Sequence, residues 1–154
     1  SVFHARAEGS IREEMTRAEA VEYVQRRFRE LEDPEFHKGE ARFFKHEVLT
    51  RGVRTKDLQT VVREVYPVMK GWTTAERNGF CVDLWKTGAL EDGVLVCHVY
   101  RRFARQCGAC EFRLFERWID RYVHNWAHCD GVSTWLIAAC IRNGGTPEMT
   151  LERA

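Results

Sequence analysis

Segment 124–130, with the sequence HNWAHCD, concentrates the side chains of this chain that are best suited to chemistry. It lies at a predicted junction between two helices, and its residues allow three interpretations. In the first, Trp126 is a core residue and Asp130 is the N-cap of the final helix, since aspartate before Gly-Val-Ser suits capping. In the second, the segment holds a metal ion. In the third, Asp130 is a catalytic carboxylate beside an aromatic wall formed by Trp126.

A metal site would use His124 and His128, which lie four residues apart on one predicted helical face. Cys129 and Asp130 follow directly and could complete a set of ligands. The zinc-binding helix of metalloproteases, however, needs a glutamate after its first histidine, and Asn125 stands there. We therefore expect neither a metal ion nor another cofactor. Spacing alone leaves open whether Asp130 is a capping or a catalytic residue.

The six cysteines are distributed through predicted helices of a 154-residue chain, which indicates reduced thiols and not a disulfide framework. Cys107 and Cys110 have CxxC spacing, but without a second such pair this favours a helix turn of small residues over a zinc or redox site. No apolar run approaches the roughly 18 residues of a membrane span, and residues 1–10 have no hydrophobic signal segment. These observations predict a cytoplasmic protein.

The net charge of +1 hides an asymmetry, because residues 1–40 are net acidic and residues 41–154 are net basic. Six arginines at helical spacing contribute to the basic part: Arg101, Arg102, Arg105, Arg113, Arg117 and Arg121. They could form a solvated face on which Glu116 and Asp120 are their partners, or a surface that tracks phosphates. The acidic neighbours favour the solvated face.

Helical signals recur from end to end of the chain, and signals for strands do not. Thr16 is expected to cap a first helix, and Thr55 to cap the helix that follows Gly52. Thr73 is expected to begin another helix through a capping box with Glu76. These local patterns predict helices joined by short turns.

Further along, Glu91 and Asp92 are expected to begin a helix at its positive dipole end. Residues 111–126 place aromatic side chains on one face, and we expect Phe115, Trp118 and Tyr122 to be largely buried. About seven helices result, in antiparallel pairs that repeat near every forty residues, which is typical of HEAT arrays. We therefore expect an all-α, HEAT-like helical-repeat solenoid. Residues 1–154 are expected to form a single monomeric domain, truncated at its C-terminus because its tail begins a new capping motif.

Three stretches resemble the bacterial DNA alkylation repair glycosylases that are built from HEAT-like repeats. They are Gly52-Val53-Arg54-Thr55, Asp83-Leu84-Trp85 and, above all, WIDRYVHNWAHCDGVSTWLIAACI, which begins at residue 118. The resemblance runs from about residue 40 to about residue 143. It implies that Trp126 packs against the deoxyribose of a damaged nucleotide and that base excision depends on Asp130. It also implies that an arginine and a second aromatic residue from later helices complete the site, and that no metal takes part.

The resemblance also implies that DNA contacts the turn before the Thr55 helix. A helix N-terminus offers free N–H groups and a positive dipole end to a phosphate, and Arg54 and Lys56 flank Thr55 there. Arg63, further along the same predicted helix, completes the expected DNA-binding set. The alternative is that Thr55 is a helix cap and nothing more.

Together these observations predict a monofunctional DNA glycosylase, a hydrolase that excises positively charged N3- or N7-alkylated purines in base-excision repair. Such purines are good leaving groups, so a fixed carboxylate that stabilises the cationic sugar is sufficient. The expected partner is double-stranded DNA with alkylated bases, in the cytoplasm at the nucleoid, with no membrane. Two alternatives remain: a HEAT-repeat module that binds DNA without cutting it, and a protein-interaction scaffold.

Overall fold

The structure is a computed structural model that describes residues 14–43 and 48–144, with the backbone alone at residues 40–43. Its helices are α1 (Arg17–Leu31), α2 (Pro34–Phe43), α3 (Thr55–Met69), α4 (Thr74–Trp85), α5 (Leu90–Arg101), a 3₁₀ turn (Ala104–Gln106), α6 (Ala109–Arg121), α7 (Trp126–Asp130), a π-helical segment (Gly131–Ile137) and α8 (Ala138–Arg142). Within these ranges the only β feature is an isolated bridge between Leu49 and Ala89. The all-α prediction is therefore confirmed, whereas the HEAT-like solenoid stays a prediction.

The chain divides into two compact units, Ser1–Leu95 and Val96–Ala154, and the boundary falls within α5. The single-domain organisation stays a prediction. The tail on which the expected truncation rests lies outside the described residues. None of the helices that the structure describes has the length and apolar character needed to cross a membrane.

Two helix starts follow the sequence pattern closely. Thr16 accepts a hydrogen bond from the backbone N–H of Glu19 at 3.1 Å, and the Glu19 carboxylate accepts one from the backbone N–H of Thr16 at 3.0 Å. Thr73 caps α4 by accepting from the backbone N–H of Glu76 at 3.1 Å, and its hydroxyl donates to the Glu76 carboxylate. Both predicted caps are confirmed, because each depends only on residues within one turn.

The third predicted cap, Thr55, is wrong. Helix α3 begins at Thr55 itself, and Arg54 occupies the N-cap position with extended backbone angles and no side-chain hydrogen bond to the helix. The Arg54 guanidinium instead reaches Asp33, at 2.9 Å. The first N–H groups of α3 are therefore not satisfied by a capping side chain, which leaves them available to solvent or to a ligand.

In the first unit, α1 packs against α3 and α4. The interior residues recur every three or four positions along each helix, as an amphipathic helix requires. They include Val24 and Phe28 from α1, Val61 and Val65 from α3, and Phe80 and Leu84 from α4, all buried completely. These side chains form the core of the first unit.

In the second unit, α6 packs against the π-helical segment and α8. The ring of Tyr100 meets Phe115 and Trp118 edge-on, with ring centroids 5.2 and 5.5 Å apart. The predicted burial of Phe115 and Trp118 is confirmed. Tyr122 is only half-buried, because α6 ends at Arg121 and Tyr122 is already outside the helix.

Candidate functional site

Segment 124–130 forms a helix start, and the residue that caps it is Asn125. The Asn125 side-chain oxygen accepts a hydrogen bond from the backbone N–H of His128 at 2.9 Å, and α7 begins at the next residue, Trp126. Asp130 is the last residue of α7, has helical backbone angles and makes no capping hydrogen bond. The interpretation of Asp130 as an N-cap is therefore wrong, because the helix begins four residues earlier and runs on through residue 131.

Trp126 and Asp130 lie one helical turn apart and both are exposed. Residues spaced four apart on a helix share a face, with roughly 6 Å between their Cβ atoms. The Trp126 side chain is 55% exposed, so the interpretation of this residue as part of the core is also wrong. The Asp130 carboxylate has no hydrogen bond or ion pair with another described residue. An aromatic face and an uncompensated negative charge thus stand side by side at the surface.

The two histidines of the segment have separate hydrogen-bond partners. His128 is buried, and its Nδ1 lies 3.0 Å from Nδ2 of Asn125. Because Oδ1 of Asn125 already accepts from the backbone, Nδ2 donates and Nδ1 of His128 accepts. His124 is exposed, and its Nδ1 donates to the backbone carbonyl of Tyr122 at 2.8 Å. Among the residues that the structure describes, no group of three or more His, Cys, Asp or Glu is arranged to hold a metal ion.

The helix that carries Trp126 and Asp130 widens into a π-helical segment directly after Asp130. Segments of this kind occur frequently at functional sites. Its first residue, Gly131, lies against Cys97 of α5, and a Cβ at residue 131 would stand 2.8 Å from the Cys97 sulfur. Burial raises the pKa of the Cys97 thiol to about 12, so this cysteine acts as an inert packing partner. No sequence signal predicted the π-helical geometry.

Trp135 continues this contact between α5 and the π-helical segment. Its ring centroid lies 4.8 Å from that of His98, and the Arg101 guanidinium lies 4.6 Å from it. Arg101 belongs to the arginine series that the sequence singles out, but its contact with Trp135 has no signal in the sequence, because the two residues are 34 positions apart.

The predicted DNA-binding residues of α3 lie in the first unit. Arg54 is bound to Asp33 and lies over the ring of Phe36 at 5.0 Å. Thr55 and Lys56 are exposed in the first turn. Arg63 is exposed two turns further on, where its guanidinium donates to the Thr60 hydroxyl at 3.0 Å. Lys56 and Arg63 share one helix face because they are seven residues apart. Trp126 and Asp130 belong to the second unit.

The loop before α3 is held by a buried carboxylate that the sequence analysis had assigned only to a helix dipole. The Glu91 carboxylate accepts three backbone hydrogen bonds, from Arg51 at 2.9 Å, Gly52 at 2.9 Å and Val53 at 3.1 Å. Gly52 has φ +75°, and a Cβ there would stand 2.6 Å from Cβ of His37. Residues 51–53 are therefore fixed by a partner about forty positions away, which no local pattern reveals.

Asp92 completes this buried cluster. Its two oxygens accept from Nε and Nη2 of Arg51 at 2.8 and 3.1 Å, which is a two-point contact between carboxylate and guanidinium. Gln25 donates to the same carboxylate at 3.0 Å, and the Thr87 hydroxyl donates to it as well. The prediction that Glu91 and Asp92 lie in the first turn of α5 is confirmed.

All six arginines of the second unit that the sequence analysis singled out are exposed. The expected pairing with Glu116 and Asp120 is wrong for Arg113 and Arg117, since no ion pair joins either arginine to a described carboxylate. Cys107 is buried and Cys110 is exposed, and all six cysteines are free thiols. Arg113 and Arg117 thus present positive charge to solvent that no described carboxylate compensates.

A comparison with family models gives one match, described as DNA alkylation repair enzyme, over residues 24–152. Comparisons with curated proteins and with solved structures give no match. The matched range is well over half of the 154 residues and includes α3, α7 and the π-helical segment. The chain therefore belongs to the DNA alkylation repair enzyme family.

Proposed function

We propose that this chain is a monofunctional DNA glycosylase that excises positively charged N3- or N7-alkylated purines from double-stranded DNA, with Asp130 and Trp126 as its catalytic residues. Membership of a DNA alkylation repair family supports the coarser part of the proposal. The observation that carries the finer part is the Asp130 carboxylate, which is exposed, caps nothing and lies one turn from the exposed Trp126 ring.

The chemistry fits this pair of side chains. An alkylated purine that carries a positive charge leaves with the electrons of the N-glycosidic bond as a neutral base, so no strong general acid is needed. The sugar becomes cationic as the bond breaks, and the Asp130 carboxylate stabilises that charge electrostatically. Water then adds to C1′ and releases a proton, which the same carboxylate can accept. The electron-rich face of Trp126 adds an attraction of the cation–π kind.

DNA binding is assigned to α3 as well. The first N–H groups of α3 have no capping side chain, and the helix dipole places partial positive charge at the same end. Lys56 and Arg63 are exposed on one face and can contact successive phosphates. Arg54 forms an ion pair with Asp33, so its proposed role is to shape the turn around Thr55. A HEAT-like arrangement of antiparallel helix pairs would supply an extended surface for the duplex, which fits action with little or no base flipping.

Two other functions fit the residues less well. A protein-interaction scaffold that used its aromatic residues only as core would not place the Trp126 side chain 55% exposed. A module that binds DNA without cutting it has no use for an uncompensated carboxylate at a surface that binds a polyanion, because Asp130 would repel the phosphates.

The test is Asp130→Asn in the full-length protein, with excision of 7-methylguanine and Tm measured on the same samples. Loss of one such electrostatic group costs roughly 3 kcal/mol, so excision should fall by about two orders of magnitude. Tm should be unchanged, because the carboxylate has no partner among the described residues. Asp120→Asn, which removes an exposed carboxylate from α6, is the matched control and should keep full activity. Normal excision by Asp130→Asn would exclude the catalytic role.

A further inference from the structure

Three exposed arginines surround the end of α5 and the 3₁₀ turn that follows it, and we name them the arginine turn: Arg101, Arg102 and Arg105. The stretch from residue 93 to residue 110 contains no aspartate or glutamate. Neither Arg101 nor Arg105 forms an ion pair with a described carboxylate. Arg101 and Arg105 therefore present positive charge that no described carboxylate neutralises.

Arg101 is held in a defined position, unlike an arginine that extends freely into solvent. Its guanidinium lies over the ring of Trp135 at 4.6 Å, and His98 packs against the same ring. The guanidinium is planar and carries its N–H donors in the plane of the group, so a contact over the ring limits the positions that these donors can take. Those donors match the oxygens of a phosphate in a two-point contact.

The arginine turn is also aligned with the helix that carries Asp130. Cys97 lies against Gly131, Arg101 lies over Trp135, and the side chain of Asn143 donates to the backbone carbonyls of Ala104 and Cys107 at 2.6 and 3.1 Å. Residues 97–107 therefore run beside residues 131–143. At about 1.5 Å per residue, the arginine turn lies roughly 7 to 20 Å from Asp130 along this direction.

We propose that the arginine turn binds backbone phosphates of double-stranded DNA on one side of the nucleotide that faces Asp130. The inference rests on the proposed function, in which Asp130 marks the position of the lesion. DNA rises about 3.4 Å per nucleotide along each strand, so the contacts lie about two to six nucleotides from the lesion. The exposed face of α6 is less suited to this role, because Glu116 and Asp120 lie among its arginines.

The experiment is a salt titration of binding to an undamaged duplex, with the double variant Arg101→Gln/Arg105→Gln in the full-length protein. Each lost phosphate contact reduces the slope of log Kobs against log salt by about 0.9, so the double variant should lose about 1.8. The matched control is Arg29→Gln/Lys86→Gln, which removes two exposed charges from the first unit and should keep the wild-type slope.

Two single variants separate binding from folding. Arg105→Gln touches no described partner and should lose about 0.9 of slope with an unchanged Tm. Arg101→Lys keeps the charge but not the planar guanidinium over Trp135, so it should keep most of the slope and lose affinity. A double variant with the wild-type slope overturns the inference, and so does an Arg105→Gln variant with the wild-type slope.

Excision of 7-methylguanine by the wild-type protein is measured in parallel, which distinguishes the two proposals. Normal excision together with an unchanged slope in the double variant leaves the proposed function intact and removes the arginine turn from the DNA surface. Absent excision by the wild type, together with the expected loss of slope, sinks the glycosylase proposal and supports the arginine turn as a phosphate-binding surface.

Discussion

The two units hold the segments next to their candidate DNA-contact residues by different forces. In the first unit, buried charges hold residues 51–53, since Glu91 accepts from three successive backbone N–H groups and Asp92 binds the Arg51 guanidinium. In the second unit, close packing holds residues 131–135, since Gly131 lies on Cys97 and Trp135 packs against α5. One segment depends on the presence of each charge, and the other depends on the shape of its neighbours.

The arginines of the two units differ in the same way. Several arginines of the first unit are bound to carboxylates, among them Arg17 to Asp83 and Arg27 to Glu64, both through side-chain nitrogens within 3.0 Å. In the second unit, exposed arginines such as Arg105 lack an ion pair with any described carboxylate. Paired charge stabilises a fold or orients a loop, whereas unpaired positive charge attracts a polyanion and releases its counterions.

The largest loss of unfolding free energy is expected where a buried charge loses its partner. The Asp92 side chain is 0% exposed and its partner Arg51 is 19% exposed, so Asp92→Asn removes the charge that is paired directly with a largely desolvated guanidinium. Breaking a buried pair in this way costs about 3 to 5 kcal/mol of unfolding free energy. Urea denaturation should show this loss.

The control for Asp92 is Asp83→Asn, which breaks the Arg17 pair at the surface, where the side chains are 47% and 31% exposed. Exposed pairs contribute less than about 1 kcal/mol. If both variants were destabilised equally, the buried cluster would not be what holds the loop before α3.

A smaller loss of unfolding free energy is expected where the second unit depends on the close packing of residue 131. In Gly131→Ala, the new Cβ would stand 2.8 Å from the sulfur of Cys97 and 3.1 Å from its Cβ, and both atoms are part of a packed helix contact. Overpacking of this kind costs about 1 to 3 kcal/mol. The matched variant is Gly39→Ala in α2, where no atom of the described residues outside α2 lies within 4 Å of the new Cβ, and it should gain up to about 1 kcal/mol. Equal Tm changes of the same sign would contradict close packing at residue 131.

The parts of the fold that the sequence predicted are those set by neighbours within one helical turn. Thr73 was assigned as a cap because Glu76 follows three residues later, and Thr16 because a run of apolar residues at helical spacing follows it. Thr55 was assigned from its place after Gly52, and the assignment was wrong. The start of α3 follows from residues 51–53, and their position is set by Glu91, far along the chain. Long-range hydrogen bonds of this kind have no periodic signature.

In the candidate site, too, local patterns could be predicted and long-range contacts could not. Asp130 and Trp126 could be singled out from their types and spacing, although the sequence alone did not distinguish a capping carboxylate from a catalytic one. The structure assigns the cap to Asn125, which has an amide that bonds both the backbone and the ring of His128. The π-helical segment and the contact of Arg101 with Trp135 could not be predicted, because both lie where α5 packs against residues that are far from it in sequence.

The smallest expected effect concerns the charge of His98, which shares the ring of Trp135 with Arg101. Burial lowers the pKa of His98 below its ordinary value, and the positive charges of Arg101 and Arg102 lower it further. The unfolded chain therefore binds a proton that the folded protein does not. Stability from this residue is present at neutral pH and is lost as the pH falls through the unfolded-state pKa of about 6.5.

His98→Phe keeps an aromatic ring against Trp135 and removes the group that titrates. The Tm of the wild type should fall more steeply than that of His98→Phe between about pH 7.5 and pH 5.5, since only the wild type gains the extra proton on unfolding. The comparison of the two proteins separates this cause from carboxylate titration, because the carboxylates are common to both and their effect on Tm cancels in the difference. Parallel Tm profiles would show that His98 is no more difficult to protonate in the folded unit than in the unfolded chain. The contact of Trp135 with α5 would then depend on shape alone, without the repulsion that the charges of Arg101 and Arg102 impose on a protonated His98.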